Sequence, residues 1–309
     1  MEIVRSWGAF SQPVEGCAVA VGNFDGLHRG HRKILGRLVV EARRLRLPAY
    51  VLTFTPHPEK FFSPSRIRML QTLDQRLEGL ARLPLDGVLV ARFRHALAGL
   101  SPSAFVRSIL RDRLRARLVV VGADFRFGRG RRGDAEGLAR MGRKAGFEVV
   151  AVPQLRRRGE VVSSSRIRTC LARGDIEQAN DLLDRPYAIE GDVVAGVGRG
   201  RRMGFPTANI ETPNEIVPRG VFLTVLCAAG VGYRSVTNVG VRPTFGHPRP
   251  AVETHLLDWK GDLYGASVSL AFLYKLREER AFSGAEALRA QLRRDVAAAR
   301  RFFRRPSRL

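Results

Sequence analysis

The stretch Val19-Ala20-Val21-Gly22-Asn23-Phe24-Asp25-Gly26-Leu27-His28-Arg29-Gly30-His31 constrains the chain more than any other. The apolar run Ala18 to Val21 reads as a buried parallel strand that stops at Gly22. Beyond the turn, Ile34, Leu35, Leu38, Val39, Ala42 and Leu45 recur at helical spacing. His28 and His31 therefore stand at a strand-to-helix turn, where open α/β sheets hold ligands. Backbone N–H groups at a helix start favour an anion, and glycines let a phosphate come close. Three residues apart, the histidines share one side of the first helical turn. Two imidazoles there can donate hydrogen bonds to charge that develops on a phosphate. A lone glycine and histidine would be only a turn; the whole string carries the chemistry.

At 309 residues the chain has room for two domains with separate cores. No apolar run approaches the roughly 20 residues of a membrane span, and the start lacks the basic-then-apolar pattern of a signal peptide. Cys17, Cys170 and Cys227 are far apart and form no C-x-x-C pair. That spacing argues against a zinc site or disulfide framework and for a reducing cytoplasm. The net charge of +24 suits polyanions, either nucleic acid or ATP and other phosphates, and equally a surface of solvated arginines. No aromatic RNA-binding motif or zinc finger accompanies the basic clusters, so specific nucleic-acid binding is not expected.

The rest of the first half alternates strands and helices. Ala49 to Phe54 reads as a strand that ends in Thr55-Pro56-His57-Pro58, an extended loop. Leu70 to Leu83 and the stretch opened by Ser101-Pro102 read as helices, Gly87 to Ala91 and Leu118 to Gly122 as strands. This alternation implies a doubly wound parallel sheet. Gly122-Ala123-Asp124-Phe125-Arg126-Phe127-Gly128 closes one strand; Asp124 reads as a cap or a ligand contact, and Phe125 equally as core. Val161 to Arg168 reads as a strand, then a hydroxyl-rich helix start with a basic first turn. Serine caps are common, but hydroxyls, N–H groups and an arginine together also make a phosphate clamp.

The helical pattern ends at Arg185-Pro186, and beyond it strands and glycines dominate. Two domains are expected, residues 1–184 and 185–309. Gly196, Gly198 and Gly200 fit neither a dinucleotide fold, because Pro206 interrupts the required helix, nor a Walker loop, which needs Gly-Lys-Ser/Thr. Glycines and arginines ahead of Phe205-Pro206-Thr207-Ala208-Asn209 suit contacts to phosphates, and Thr207 and Asn209 offer oxygen ligands to Mg²⁺. In a strand, Glu253 shares a face with His255 and Leu257. Ser283 and Glu286 read as the capping box of a final helix.

These strings resemble the bifunctional prokaryotic riboflavin kinase/FAD synthetases over nearly the whole chain. The first stretch fits G-x-F-D-G-x-H-x-G-H, and T-F-x-P-H-P, V-G-x-D-F-x-F-G and S-S-x-x-I-R follow. In the second half G-F-P-T-A-N, N-x-G-x-x-P-T-F (Asn238 to Phe245), V-E-T-H-x-L-D and D-L-Y-G follow in the family's order. The resemblance implies an α/β nucleotidyltransferase domain followed by an antiparallel β-barrel riboflavin kinase domain with terminal helices. ATP would phosphorylate riboflavin to FMN, and a second ATP would adenylylate FMN to FAD with release of pyrophosphate.

In that reading Glu253 is the general base for the kinase step, and His28, His31, Ser164 and Arg168 serve the adenylyl step. Gly22, Phe24, Asp25, Gly26, His57, Asp124, Phe125 and Ser165 bind nucleotide or flavin in the first domain, with Arg166 a second choice beside Arg168. Gly198, Arg199, Gly200, Gly204, Pro206 and Arg242 do so in the second. Ala195 stands where many relatives carry a polar residue, and Phe222 where they carry tyrosine. Partners are expected to be small molecules, with neither a membrane nor specific nucleic acid; a homo-oligomer stays open. The alternative is a single-activity FMN adenylyltransferase whose barrel binds flavin without catalysis.

Overall fold

A computed structural model of the chain describes residues 1–309 apart from 8, 9, 12, 197, 243–248 and 305–309. The side chains of Arg199, Arg242 and Arg249 also lie outside the described set, as do Pro243 to Gly246 of the expected motif. The chain forms two compact units, Met1–Ser164 and Ser165–Leu309.

The first unit is built on six parallel strands: β1 (Glu2–Val4), β2 (Cys17–Val21), β3 (Ala49–Thr55), β4 (Gly87–Arg92), β5 (Ala116–Gly122) and β6 (Glu148–Val152). Their order is β1-β4-β3-β2-β5-β6. Every residue of β2 is buried, because layers cover both faces of the sheet. Ala18 and Ala20 meet Leu35, Leu38 and Ala42 of α1 (Arg29–Leu45). Val19 and Val21 face the opposite layer, with Phe105, Leu110 and Leu114. Each such Val or Leu contributes about 1.5–3 kcal/mol by leaving water. The helix opened by Ser101 begins at Pro102–Phe105 and widens to π geometry over Val106–Arg113, which the periodicity alone does not reveal. A second helix, α2 (Leu73–Ala81), starts at a capping box between Thr72 and Gln75. The strand order reverses between β2 and β5, so their C-terminal ends border a crevice.

The second unit begins with α3 (Ser164–Arg173), which starts one residue before it, and α4 (Ile176–Leu183), capped by Asp175. Six antiparallel strands follow: β7 (Tyr187–Val194), β8 (Ala208–Glu211), β9 (Gly220–Ala228), β10 (Val231–Arg242), β11 (Arg249–Leu256) and β12 (Ser267–Arg277). They close as a barrel in the order β7-β8-β11-β10-β9-β12. The side chain of Asn180 in α4 donates to Phe272 O (2.8 Å) and accepts from Tyr187 N–H (2.7 Å). These bonds tie α4 to the barrel, so the compact division falls earlier in the chain than the composition change at Arg185.

The barrel interior carries a hydroxyl chain among its apolar residues. Thr224 bonds Ser235 (2.8 Å) and Thr237 (2.7 Å), and Thr237 bonds Thr254 (2.9 Å). Each buried hydroxyl is thereby satisfied. Phe222 is also fully buried here, edge-on to Phe272 at 5.2 Å. On the outer surface Val221, Leu223 and Val236 pack against Ala299, Val296 and Phe303 of α5 (Ala285–Arg304).

Arg277 anchors that helix through two bonds to Asp295, Nε–Oδ1 at 3.1 Å and Nη2–Oδ2 at 2.7 Å. Gln291 donates to Asp295 Oδ1 at 2.7 Å. Removing one partner of such a pair strands the other charge, so Asp295→Ala should destabilise the barrel unit by about 3 kcal/mol. Urea unfolding followed at Trp259 measures this; an unchanged midpoint would remove the pair from the account.

Candidate active sites

At the end of β2 the chain turns through Phe24 (φ 52°), Gly26 (φ 88°) and Leu27 (φ 43°), a run of left-handed backbone. Gly22 leaves room for the Phe24 ring, which lies edge-on to His31 at 5.3 Å. The Asp25 carboxylate, 2% exposed, accepts from the N–H groups of Leu70 (3.1 Å) and Gln71 (3.3 Å) and so pins a second loop beneath the turn.

His28 caps α1: its Nδ1 accepts from the His31 N–H at 3.3 Å. The neutral His28 ring therefore carries its proton on Nε2, as a donor. The two imidazoles stack with centroids 3.6 Å apart and planes 17° from parallel. The i, i+3 spacing thus brings them together as expected.

Burial holds the His31 pKa well below the usual imidazole value, and the neighbouring His28 and Arg76 lower it further. The unfolded chain takes up this proton near pH 6.5, whereas the folded chain refuses it. Stability should therefore fall as the pH drops below about 6.5, and His31→Gln should flatten the fall. Urea midpoints between about pH 7 and 5 test this; parallel slopes for the two proteins would contradict it.

Two further chain segments border the crevice. Ser164 Oγ, at the start of α3, donates to the Asp25 carbonyl at 2.9 Å. Val162 O lies 3.5 Å from where a Cβ on Gly30 would stand. At the end of β5, a Cβ on Gly122 would lie 3.4 Å from Ile34 of α1 and 2.8 Å from Asp124 Oδ1. Asp124 Oδ2 accepts from Gln154 (3.0 Å), and half-buried Phe125 stacks on Phe127 at 5.5 Å. His57 is held at both ring nitrogens: Nδ1 accepts from Glu59 N–H (3.2 Å), and Nε2 lies 2.9 Å from the Asn23 side-chain amide. Ser165 and Arg168 continue α3 into the second unit, exposed and half-buried respectively.

In the barrel, Gly198 (φ 72°) and Gly204 (φ 85°) bracket a helical turn, Arg199–Arg202. Gly200 approaches the Thr207 hydroxyl, with only 3.2 Å between Oγ1 and the place of a Cβ. Gly196 abuts the Asn209 carboxamide so closely that a Cβ would collide with it. Asn209 pairs across strands with Glu253, and Glu253 with Asn238, in one lateral row over β8, β11 and β10. Thr254 points into the barrel, so Glu253 and His255 lie on its outer face. His255 Nδ1 donates to Pro206 O at 2.8 Å, fixing the loop that carries Thr207.

Residues 11–166 match the family model for FAD synthetase, and residues 183–303 the one for riboflavin kinase. The bifunctional riboflavin kinase/FMN adenylyltransferase of Escherichia coli strain K12 is 38% identical over 309 residues, 98% of each chain. The enzyme of that name from Pseudomonas fluorescens is 39% identical over 302 residues, 97% of each. The chain belongs to the bifunctional riboflavin kinase/FMN adenylyltransferase family. The crystal structure of a macrolide-efflux protein from Streptococcus pneumoniae also shares the fold, with a TM-score of 0.88 and 27% identity over 96% of this chain and 98% of that one. No helix among the described residues is long and apolar enough to cross a membrane.

As a riboflavin kinase/FMN adenylyltransferase the chain uses ATP in both reactions, one in each matched region. Its Phe222 is enclosed in the barrel, on the face opposite Glu253, so the absent tyrosine hydroxyl does not alter that surface. Arg76 escaped the sequence reading. It is 5% exposed, and its guanidinium donates to Asn23 O (2.6 Å) and Phe54 O (3.2 Å), bracing the glycine turn from below. An arginine among the apolar positions of α2 was the available signal. Phe61, Phe62 and Phe93 also form an aromatic cluster beside His95, with Phe62 largely exposed.

Proposed function

We propose that the two reactions divide between the glycine turn and the lateral row of the barrel, residue by residue as follows. In the kinase step Glu253 takes the proton of the riboflavin 5′-hydroxyl. The oxygen bonds the γ-phosphorus of ATP, the bond to the β-phosphate oxygen breaks, and ADP leaves. Positioning and charge stabilisation carry most of this catalysis. In the adenylyl step a phosphate oxygen of FMN bonds the α-phosphorus of a second ATP, and pyrophosphate leaves. The nucleophile is already ionised, so no base is needed. Donors from His28, His31 and Arg168 stabilise the charge that develops, and Ser164, bonded to the Asp25 carbonyl, fixes the helix start beside the glycine turn.

Thr207 and Asn209 offer side-chain oxygens, which suit Mg²⁺, a cation that otherwise keeps waters and substrate phosphates as ligands. Glycines packed against Thr207 and Asn209 support this reading. Mg²⁺ would be held by Thr207 and Asn209 and would supply charge neutralisation of the polyphosphate.

Asp25 and Gly22 serve by shaping the turn, since the Asp25 carboxylate is committed to Leu70 and Gln71. His57, Asp124, Phe125 and Ser165 remain assigned to nucleotide or flavin contact. Gly198, Arg199, Gly200, Gly204, Pro206 and Arg242 are assigned to the kinase substrates. We place the functional boundary at 184/185, the enzyme in the cytoplasm, and its partners among small molecules alone. A homo-oligomer is compatible with this reading.

The observation that supports the proposal is that the stacked His28–His31 pair stands at the glycine turn of the parallel sheet, whereas Asn209, Glu253 and Asn238 share one lateral row of the barrel. The test counts ADP and pyrophosphate separately. Riboflavin with ATP should yield both, and FMN with ATP only pyrophosphate. Pyrophosphate alone with FMN and no turnover of riboflavin would leave a single-activity adenylyltransferase.

A further inference from the structure

The four buried side-chain polar atoms that meet no partner among the described residues belong one each to Asn23, His31, Gln71 and Arg76. Asn23 and His31 lie in the glycine turn and the first turn of α1, Gln71 and Arg76 in the loop and helix that support them. Unmet polar groups cost stability, and their gathering beside the histidine pair marks a place shaped for chemistry. Arg76 is the charged member. It stands one helical turn before Gly79 on α2, where a Cβ would strike Leu27 of the glycine turn. One face of α2 thus presses on that turn and carries a guanidinium.

The bonds of that guanidinium join two loops. Nη1 donates to Asn23 O (2.6 Å), just beyond β2, and Nη2 to Phe54 O (3.2 Å), near the end of β3. The chain runs from Phe54 directly into Thr55-Pro56-His57, and His57 Nε2 lies 2.9 Å from the Asn23 side-chain amide. Arg76, Asn23 and His57 therefore set the spacing between the turn and the next loop. Both acceptors of the guanidinium are neutral carbonyls, so neither cancels its charge. Burial pulls the Arg76 pKa below the usual guanidinium value, and Asp25, whose carboxylate is bound to Leu70 and Gln71, pulls it back up. The same positive charge acts on His31 and, with burial and His28, holds that ring neutral.

We propose that Arg76 is a positioning residue of the adenylyl step: through the Asn23 and Phe54 carbonyls it holds the turn that carries His28 and His31 in register with the loop that carries His57. It is 5% exposed and acts through the backbone it grips rather than on the substrates. The proposal rests on the assignment of His28 and His31 to adenylylation. It also gives α2, which lies outside every motif quoted above, a part in the reaction.

The test compares Arg76→Met with Arg76→Lys in the full chain. Methionine fills much of the space and removes a buried charge, and Asn23 O keeps the Thr53 hydroxyl at 3.2 Å, so the fold should survive. Should it not, Arg76→Gln, which keeps a donor group, takes its place. The kcat for adenylylation of supplied FMN should fall about 10- to 10²-fold in Arg76→Met, the cost of misplaced groups. The KM values for ATP and FMN should hold, because a donor needed only in the transition state is lost from kcat. Riboflavin phosphorylation by the same preparation should be unchanged. Arg76→Lys keeps a cation with several donors and should recover most of the rate.

A spectroscopic arm works without turnover. The ring resonances of His28, His31 and His57, assigned by single substitutions, should shift in Arg76→Met while that of His255 stays. His31 should also take up its proton at higher pH in Arg76→Met, because a neighbouring cation has gone, and not in Arg76→Lys. An unchanged kcat in folded Arg76→Met would overturn the proposal. A KM for ATP that rises at constant kcat would overturn it as well, by making Arg76 a binding group. So would a lysine variant as slow as the methionine one. If His28→Asn and His31→Gln both spare adenylylation, the histidine reading fails, and the resonances alone decide the clamp: shifted rings uphold it, and unmoved rings reject it.

Discussion

Glu253→Gln should lower FMN formation from riboflavin by about 10²- to 10⁴-fold, the usual range for a lost general base. The amide keeps the side chain's volume and its hydrogen-bonding capacity beside Asn209 and Asn238, but it has no basic oxygen. Adenylylation of supplied FMN should be unaffected, since the glycine turn and its histidines belong to the first unit. Separate assays of ADP and pyrophosphate on one preparation read both effects. Loss of both activities in a folded variant would refute the division of labour. Full kinase activity would remove Glu253 from its role.

The complementary change is His28→Ala with His31→Ala. Riboflavin should still be converted, but FMN should accumulate and FAD formation fall by at least about 10²- to 10³-fold, the cost of one lost transition-state donor. The stacked rings act as a unit, so the double change need not equal the product of the singles. His28 also caps α1, and losing a cap costs about 1 kcal/mol of stability. His28→Asn separates the two effects, because asparagine caps well but supplies no imidazole. It should keep stability and lose adenylylation. A variant that keeps both would show that His28 is structural.

Local chemistry was legible where it depends on near neighbours in sequence. The i, i+3 spacing of His28 and His31 foretold that they share one side of the first turn, Ser101 and Asp175 foretold caps, and Gly174 foretold the break between α3 and α4. The parallel sheet followed from alternating periods, although its order and the edge strand β1 did not. The lateral row of the barrel was legible only through motif resemblance. Asn209, Glu253 and Asn238 become neighbours by strand register, which no spacing reveals. The Asp25 carboxylate accepts from two backbone donors 45 and 46 residues away, a contact that no local pattern announces. Arg76 and Asp295 were missed for the same reason. A charged residue on a helix reads as solvated until the packing partner of that helix is known.

The most direct measurement follows the phosphorus atoms. Riboflavin is incubated with the purified chain, Mg²⁺ and ATP labelled at either the γ- or the α-position. The account predicts that γ-label enters FMN first and then FAD, whereas α-label enters FAD alone and only after FMN has formed. Label from the γ-position that never reaches a flavin, while α-label still enters FAD made from supplied FMN, would contradict the claim of two phosphate-transfer sites in one chain.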